Sequence, residues 1–136
     1  MDLAVLGLVF SLASPLLLIP IEKILPWPYV IEEVVKLIIV VQIIKAENKT
    51  GKKLGFWILS AGVLFTVSES ILYLINIFAL GDISLLGKRM LFTGILHIGT
   101  FYLLYKFGRK NFYSMSLSLF LAIGIHYLFN LVISLY

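Results

Sequence analysis

Long apolar runs separated by short polar clusters dominate this chain. Five runs stand out, at about residues 3–19, 29–44, 54–80, 89–107 and 112–135. A helix crosses ~30 Å of hydrocarbon in about 20 residues, so runs of this kind read as membrane spans. The expected fold is all-α: one integral membrane domain, a polytopic helix bundle of about five transmembrane helices. The 54–80 run is long enough to tilt. Pro15 is expected to kink the first span and Pro20 to help end it. Pro26-Trp27-Pro28-Tyr29 reads as a tight turn, with Pro28 in the first turn of the next helix. Trp27 and Tyr29 suit the membrane interface. Residues 45–53 read as a polar loop, Gly81-Asp82 and Gly87 as a turn, and Gly108-Arg-Lys-Asn111 as the link into the last span.

Ionisable residues interrupt four of the five runs. Glu32-Glu33-Val-Val-Lys36 lies in the second, Glu69 in the third, His97 in the fourth and His126 in the fifth. A charged side chain at the bilayer centre costs about 2.5–3.5 kcal/mol even on insertion scales. Such groups avoid lipid, so four helices are expected to face a shared polar intramembrane cavity. The first span offers only Ser11 and Ser14 and is expected to serve packing. Counted at ~1.5 Å per residue from the nearest basic-side loop, Glu33 lies about 18 Å deep, Glu69 about 22 Å, His97 about 15 Å and His126 about 22 Å. Four separate helices thus place their polar groups at similar depths.

Each of these helices also carries a polar or small face at helical spacing. The third shows Gly62, Thr66, Glu69, Tyr73 and Asn76; the fourth Arg89, Thr93, His97 and Thr100; the fifth Ser118, Ala122, His126, Asn130 and Ser134. Small residues alone serve helix packing in membranes. On the second helix Glu32 and Lys36 share a face, and Lys36 can neutralise Glu32 one turn away. Arg89 is expected to snorkel to the interface. Asn76 and Tyr127 are expected to be packing or hydrogen-bonding partners. Three glutamates against Lys36 and Arg89 leave one uncompensated negative charge, which implies that the acids share a proton.

Composition removes several function classes. Of 136 residues, 61% are hydrophobic and 13% charged, about half the charge of a soluble domain, so any chemistry belongs within the bilayer. There is no cysteine, hence no disulfide, thiolate nucleophile or Cys-based metal site. The net charge of +4 sits in loops, and no basic run interleaved with aromatics suggests nucleic acid. The N-terminus lacks the basic region and cleavage site of a signal peptide, so the first run is expected to be a retained span. Lys45, Lys49, Lys52, Lys53, Lys106, Arg109 and Lys110 oppose Lys23, Lys88 and Arg89, which favours a cytoplasmic N-terminus and an external C-terminus.

Several designs for hydrolysis in a membrane are absent. No Gly-x-Ser-Gly nucleophile is present, Asp2 and Asp82 are terminal or loop residues, and there is no His-Glu-x-x-His zinc helix. A carboxylate that activates water remains. Glu32-Glu33-x-x-Lys36, Phe65-x-x-x-Glu69 and His126-x-x-x-Asn130, in that order on separate spans, resemble the motifs of PrsW-type glutamic intramembrane proteases. That superfamily includes the type II CAAX prenyl endopeptidases and the CPBP proteins. The CAAX relatives carry His where this chain has Glu69, so the resemblance is to the PrsW branch.

The resemblance implies an endopeptidase in which Glu32 or Glu33, assisted by Glu69, activates water. His126 and Asn130 would stabilise the oxyanion, and His97 would position water or donate a proton. Lys36 and Arg89 would support the site. No cofactor or metal is expected, because Lys36 would repel a cation. The expected partner is a membrane-anchored protein or peptide, entering sideways from the bilayer of a prokaryotic cell membrane. Two other readings stay open: a non-catalytic binding or immunity-type member of the superfamily, and a proton-coupled transporter, for which buried Glu, Lys and His are also normal.

Overall fold

The computed structural model describes residues 3–51, 53–78 and 83–133. The chain forms α1 (Leu3–Glu22), α2 (Pro28–Thr50), α3 (Gly55–Phe78), α4 (Ile83–Gly108) and α5 (Phe112–Ile133), with no strand among the described residues. It is an all-helical bundle. Four segments, Leu3–Ile21, Gly55–Leu74, Gly87–Gly108 and Phe112–Ile133, are long and apolar enough to cross a membrane. Helix α2 has 23 residues, ample for a span, but its acids and lysines lower its hydropathy. The exposed positions carry large apolar side chains, including Leu17, Phe56, Leu91, Ile95 and Phe120. An apolar exterior over so many helices belongs to an integral membrane protein.

Helix α1 packs on α2 and α3, α3 packs most extensively on α4, and α4 packs back on α2. This closes a ring of four helices, and α5 lies along α4 and α2. The α3–α4 contact is close because Gly62 has no side chain. A Cβ built there would lie 2.9 Å from the backbone Cα of Ile98. The apolar core joins Ile39, Val40 and Ile43 of α2, Ile58, Ala61 and Phe65 of α3, Phe101 and Leu104 of α4, and Ala122 of α5. In α2 these residues follow Lys36, and in α3 they precede Glu69. The core therefore fills the half of the bundle nearer the Lys45 end, and the ionisable residues occupy the other half.

Several expected boundaries move. Pro15 and Pro20 lie inside α1, which continues to Glu22. Helix α2 runs through most of the expected 45–53 loop. Lys45, Ala46 and Glu47 are strong helix formers, and Ala46 and Glu47 are buried. It stops at Gly51, whose φ of 68° suits glycine, and the Gly51 N–H closes the end on Glu47 O at 2.8 Å. Gly87 lies within α4 and makes no turn there, while Gly81, Asp82 and Ser134 fall outside the described residues.

Candidate functional site

Helix periodicity builds the centre of the site. Glu33 and Lys36 are one turn apart on α2, and both are fully buried. Lys36 Nζ donates to Glu33 Oε1 at 2.6 Å, to Nδ1 of His97 at 2.7 Å and to Thr100 Oγ1 at 3.2 Å. An ammonium has three donors and no acceptor, so all three are used. The lysine pairs with Glu33 and not with Glu32, the partner that sharing a face suggested. The three-residue spacing turns Glu33 and Lys36 to the same inward side.

Each neighbour's role follows. The Thr100 hydroxyl donates to the His97 carbonyl at 3.2 Å, which leaves its lone pairs for Lys36. Because His97 Nδ1 must accept from the ammonium, the neutral imidazole carries its proton on Nε2. That Nε2–H donates to Glu69 Oε2 of α3. On the other side, Glu33 Oε1 also accepts from His126 Nδ1 of α5 at 2.8 Å. The second imidazole is thereby fixed in the opposite tautomer. Its Nε2 stands 3.8 Å from Glu32 Oε2.

A necklace of six ionisable groups results, running Glu32, His126, Glu33, Lys36, His97, Glu69 across four helices. Its two ends meet: ligand atoms of Glu32, Glu69 and His97 all lie within 4.8 Å of one another. The end carboxylates are also the open ones. The side chains of Glu32 and Glu69 keep 13% and 17% exposure, against none for Glu33, Lys36 and His97. Glu33 Oε2 is buried without a hydrogen-bond partner. Buried acids and bases in one connected set support one another, since a lone charge here would be costly.

Aromatic rings floor the site. Phe65, one turn before Glu69, sets its ring 4.9 Å from His97, edge to face, and 5.0 Å from Lys36 Nζ. Phe101 lies 5.9 Å from the same ammonium. Phe65 thus gives the Phe65-x-x-x-Glu69 spacing a physical meaning: one residue supports the imidazole ring and the other accepts the hydrogen bond from its Nε2–H. The two imidazoles lie 5.7 Å apart.

The remaining sequence candidates divide. Arg89 does not simply reach for the interface. Its guanidinium stacks over Tyr73 at 3.4 Å, its Nε is buried and unpartnered, and Tyr73 lies within hydrogen-bonding reach of Glu69. Asn130 is exposed on α5 and has no side-chain partner among the described residues, apart from the necklace in spite of its place one turn after His126. Tyr127 is exposed and packs on Tyr29, with ring centroids 5.7 Å apart. Ser118 is buried and bonds back to the Met115 carbonyl, and Thr93 is buried.

A second polar cluster was not anticipated. Glu47 receives the Tyr105 hydroxyl at 2.6 Å, Arg109 at 2.7 Å and the Leu54 N–H at 3.4 Å. It ties the ends of α2 and α4 to the start of α3. The signal was present in the spacing Glu33, Lys36, Val40, Ile43, Glu47, alternating three and four, which keeps Glu47 on the buried face. An apolar groove of about 410 Å³ lies between α4 and α5, lined by Phe92, Ile95, Gly99, Ile125 and Phe129 among others. Thr100 is in its wall, so the groove adjoins the Lys36 contact. No known protein family, curated protein or solved structure matches the chain.

Proposed function

We propose that this protein is an intramembrane endopeptidase of the glutamic, PrsW-like type, in which Glu32 and Glu69 activate water against a peptide bond of a membrane-anchored substrate. The observation that carries the reading is the meeting of these two partly open carboxylates, from α2 and α3, beside the His97 imidazole. Adjacent acids with different environments are a common arrangement for acid–base work. Glu33 has a different task. With Oε1 bound by both Lys36 and His126, it positions those two groups.

In this reading a water between the carboxylates gives a proton to Glu32 while its oxygen bonds to the scissile carbonyl carbon. The carbonyl oxygen takes up the electron pair as an oxyanion. Collapse of the adduct restores the carbonyl and breaks the C–N bond, and the carboxyl proton passes to the leaving nitrogen. His97 holds Glu69 through Nε2–H. His126 supplies a donor to the oxyanion through Nε2 once that nitrogen is protonated. Asn130, exposed on α5, is left to contact the substrate chain. The α4–α5 groove is the proposed lateral entry for a substrate from a prokaryotic cell membrane, with the N-terminus cytoplasmic.

The test is cleavage of single-span peptides by purified protein in liposomes. Wild-type cleavage that is lost in both Glu32→Gln and Glu69→Gln, with the fold retained, supports the reading. A folded wild-type protein that cleaves no member of a broad panel would overturn it and favour a non-catalytic member or a proton-coupled transporter. Proton flux in the same liposomes separates those two.

A further inference from the structure

Glu32, Glu69 and His97 also form a set of oxygen and nitrogen donors suited to a divalent transition ion such as zinc, gathered from three helices within 4.8 Å. We propose that Lys36 keeps this set closed, and that removing its charge opens a metal site. This response to metal does not depend on any peptidase activity.

A histidine that binds a metal presents a bare nitrogen to the ion and donates its other N–H to an acceptor behind it. His97 is held the opposite way. The nitrogen facing Glu69 is Nε2, and it carries the proton because Nδ1 lies 2.7 Å from an ammonium that can only donate. For Nε2 to coordinate, the proton must move to Nδ1 and face Lys36 donor to donor. Lys36 cannot easily turn away. Its other two hydrogens are taken by Glu33 and Thr100, it is fully buried, and Phe65 and Phe101 pack over it. The ammonium also adds a fixed positive charge beside the set, where low dielectric strengthens its repulsion of a cation. His126 provides the contrast within the same site. Its Nδ1–H donates to the Glu33 carboxylate, which is the arrangement that supports a metal-ligating Nε2. The hydrogen bond to Lys36 therefore sets the tautomer of His97 and, with it, the response of the whole group to metal.

Two measurements decide the matter. The chain has two histidines, so ¹⁵N-histidine NMR of the wild-type protein can be assigned with one His126→Gln variant. The expected spectrum shows neutral His97 protonated on Nε2 and neutral His126 protonated on Nδ1. A His97 proton on Nδ1 would overturn the proposal without any variant having to fold. The second measurement titrates Co²⁺, a spectroscopic substitute for zinc, into chelator-treated protein in detergent. Wild type is expected to show no stoichiometric low-symmetry cobalt band. Lys36→Gln and Lys36→Met, checked for helicity and monodispersity, are expected to bind about 10–100-fold tighter, the range set by a ligand's outer hydrogen-bond partner. That gain should vanish when Glu69→Gln is added. Stoichiometric cobalt in the wild-type protein, or no gain in a folded Lys36 variant, would sink the idea.

Discussion

Glu33 and Lys36 meet at 2.6 Å on one turn of α2 with neither side chain exposed, and every other member of the polar site is held directly or indirectly by this pair. Breaking a buried ion pair from one side leaves the other charge uncompensated, at roughly 3–5 kcal/mol. Lys36→Met is therefore expected to destabilise the fold by about that much. It strands the Glu33 carboxylate and also releases His97 and Thr100. Lys36→Arg should not restore the wild type, because a planar fork cannot reproduce three donors spread over Glu33, His97 and Thr100. Thermal unfolding in detergent measures both. A Lys36→Met protein as stable as the wild type would show that the pair contributes nothing.

The close approach of α3 and α4 gives a second prediction. A side chain at Gly62 meets the Ile98 backbone, which cannot yield as a flexible side chain can. Gly62→Val should cost about 1–3 kcal/mol by overpacking. It should also push Glu69 away from His97, since Glu69 lies two turns after Gly62 on α3 and His97 immediately precedes Ile98 on α4. Gly99→Ala is the control, because nothing lies within 4 Å of its added Cβ. Equal loss of stability in both variants would argue against a specific contact at Gly62.

Much of this site was legible in the sequence, for a physical reason. Charged residues in an apolar run are so costly that Glu32, Glu33, Lys36, Glu69, His97 and His126 had to face one another, and five helices follow from five apolar runs. Their pairing was not legible. Glu32 and Glu33 are neighbours, and only the packing of α2 against α4 and α5 decides which of them reaches Lys36. Asn130 follows His126 by one turn, yet it is exposed, because α5 lies at the edge of the bundle and one face covers only part of its length. Glu47 was missed because a polar stretch with Gly51 at its end reads as a loop. Its partners Tyr105 and Arg109 lie far away in sequence.

The Glu47 cluster should be structural. Glu47→Ala leaves the Tyr105 hydroxyl without its acceptor and unties three helices, at a cost of about 1–3 kcal/mol. Arg109→Ala should cost less, since the arginine is 43% exposed and solvent replaces its contact. Catalytic or metal-binding behaviour should not change in either variant beyond what lower stability explains. A larger loss of stability for Arg109→Ala than for Glu47→Ala would reverse this assignment.

Orientation can be read with single cysteines, because the chain has none of its own. Asn48, exposed in the last turn of α2, and Lys23, exposed just after α1, lie at opposite ends of α2. The basic-residue imbalance predicts that Lys23→Cys is labelled from outside intact cells and Asn48→Cys only after permeabilisation. The reverse pattern would invert the topology and place the opening of the polar site on the cytoplasmic half.

The two adjacent glutamates should separate in a single experiment. Glu32 is partly open and near Glu69, whereas Glu33 is sealed and bound by Lys36 and His126. Glutamine preserves the size of each side chain but cannot take a proton from water. Glu32→Gln should therefore abolish peptide cleavage while leaving thermal stability close to that of the wild type. Glu33→Gln should do the converse in stability, losing roughly 3–5 kcal/mol because Lys36 keeps its charge without a carboxylate. Its residual cleavage, measured below its own unfolding temperature, should exceed that of Glu32→Gln. Glu69→Gln should resemble Glu32→Gln in activity and lie between the two in stability, since its loss weakens the contacts of the His97 N–H and Tyr73 but strands no buried ammonium. Cleavage rates and unfolding temperatures for the three variants, taken together, check the assignment. A stable, inactive Glu33→Gln beside a fully active Glu32→Gln would make Glu33 the base and leave Glu32 a bystander.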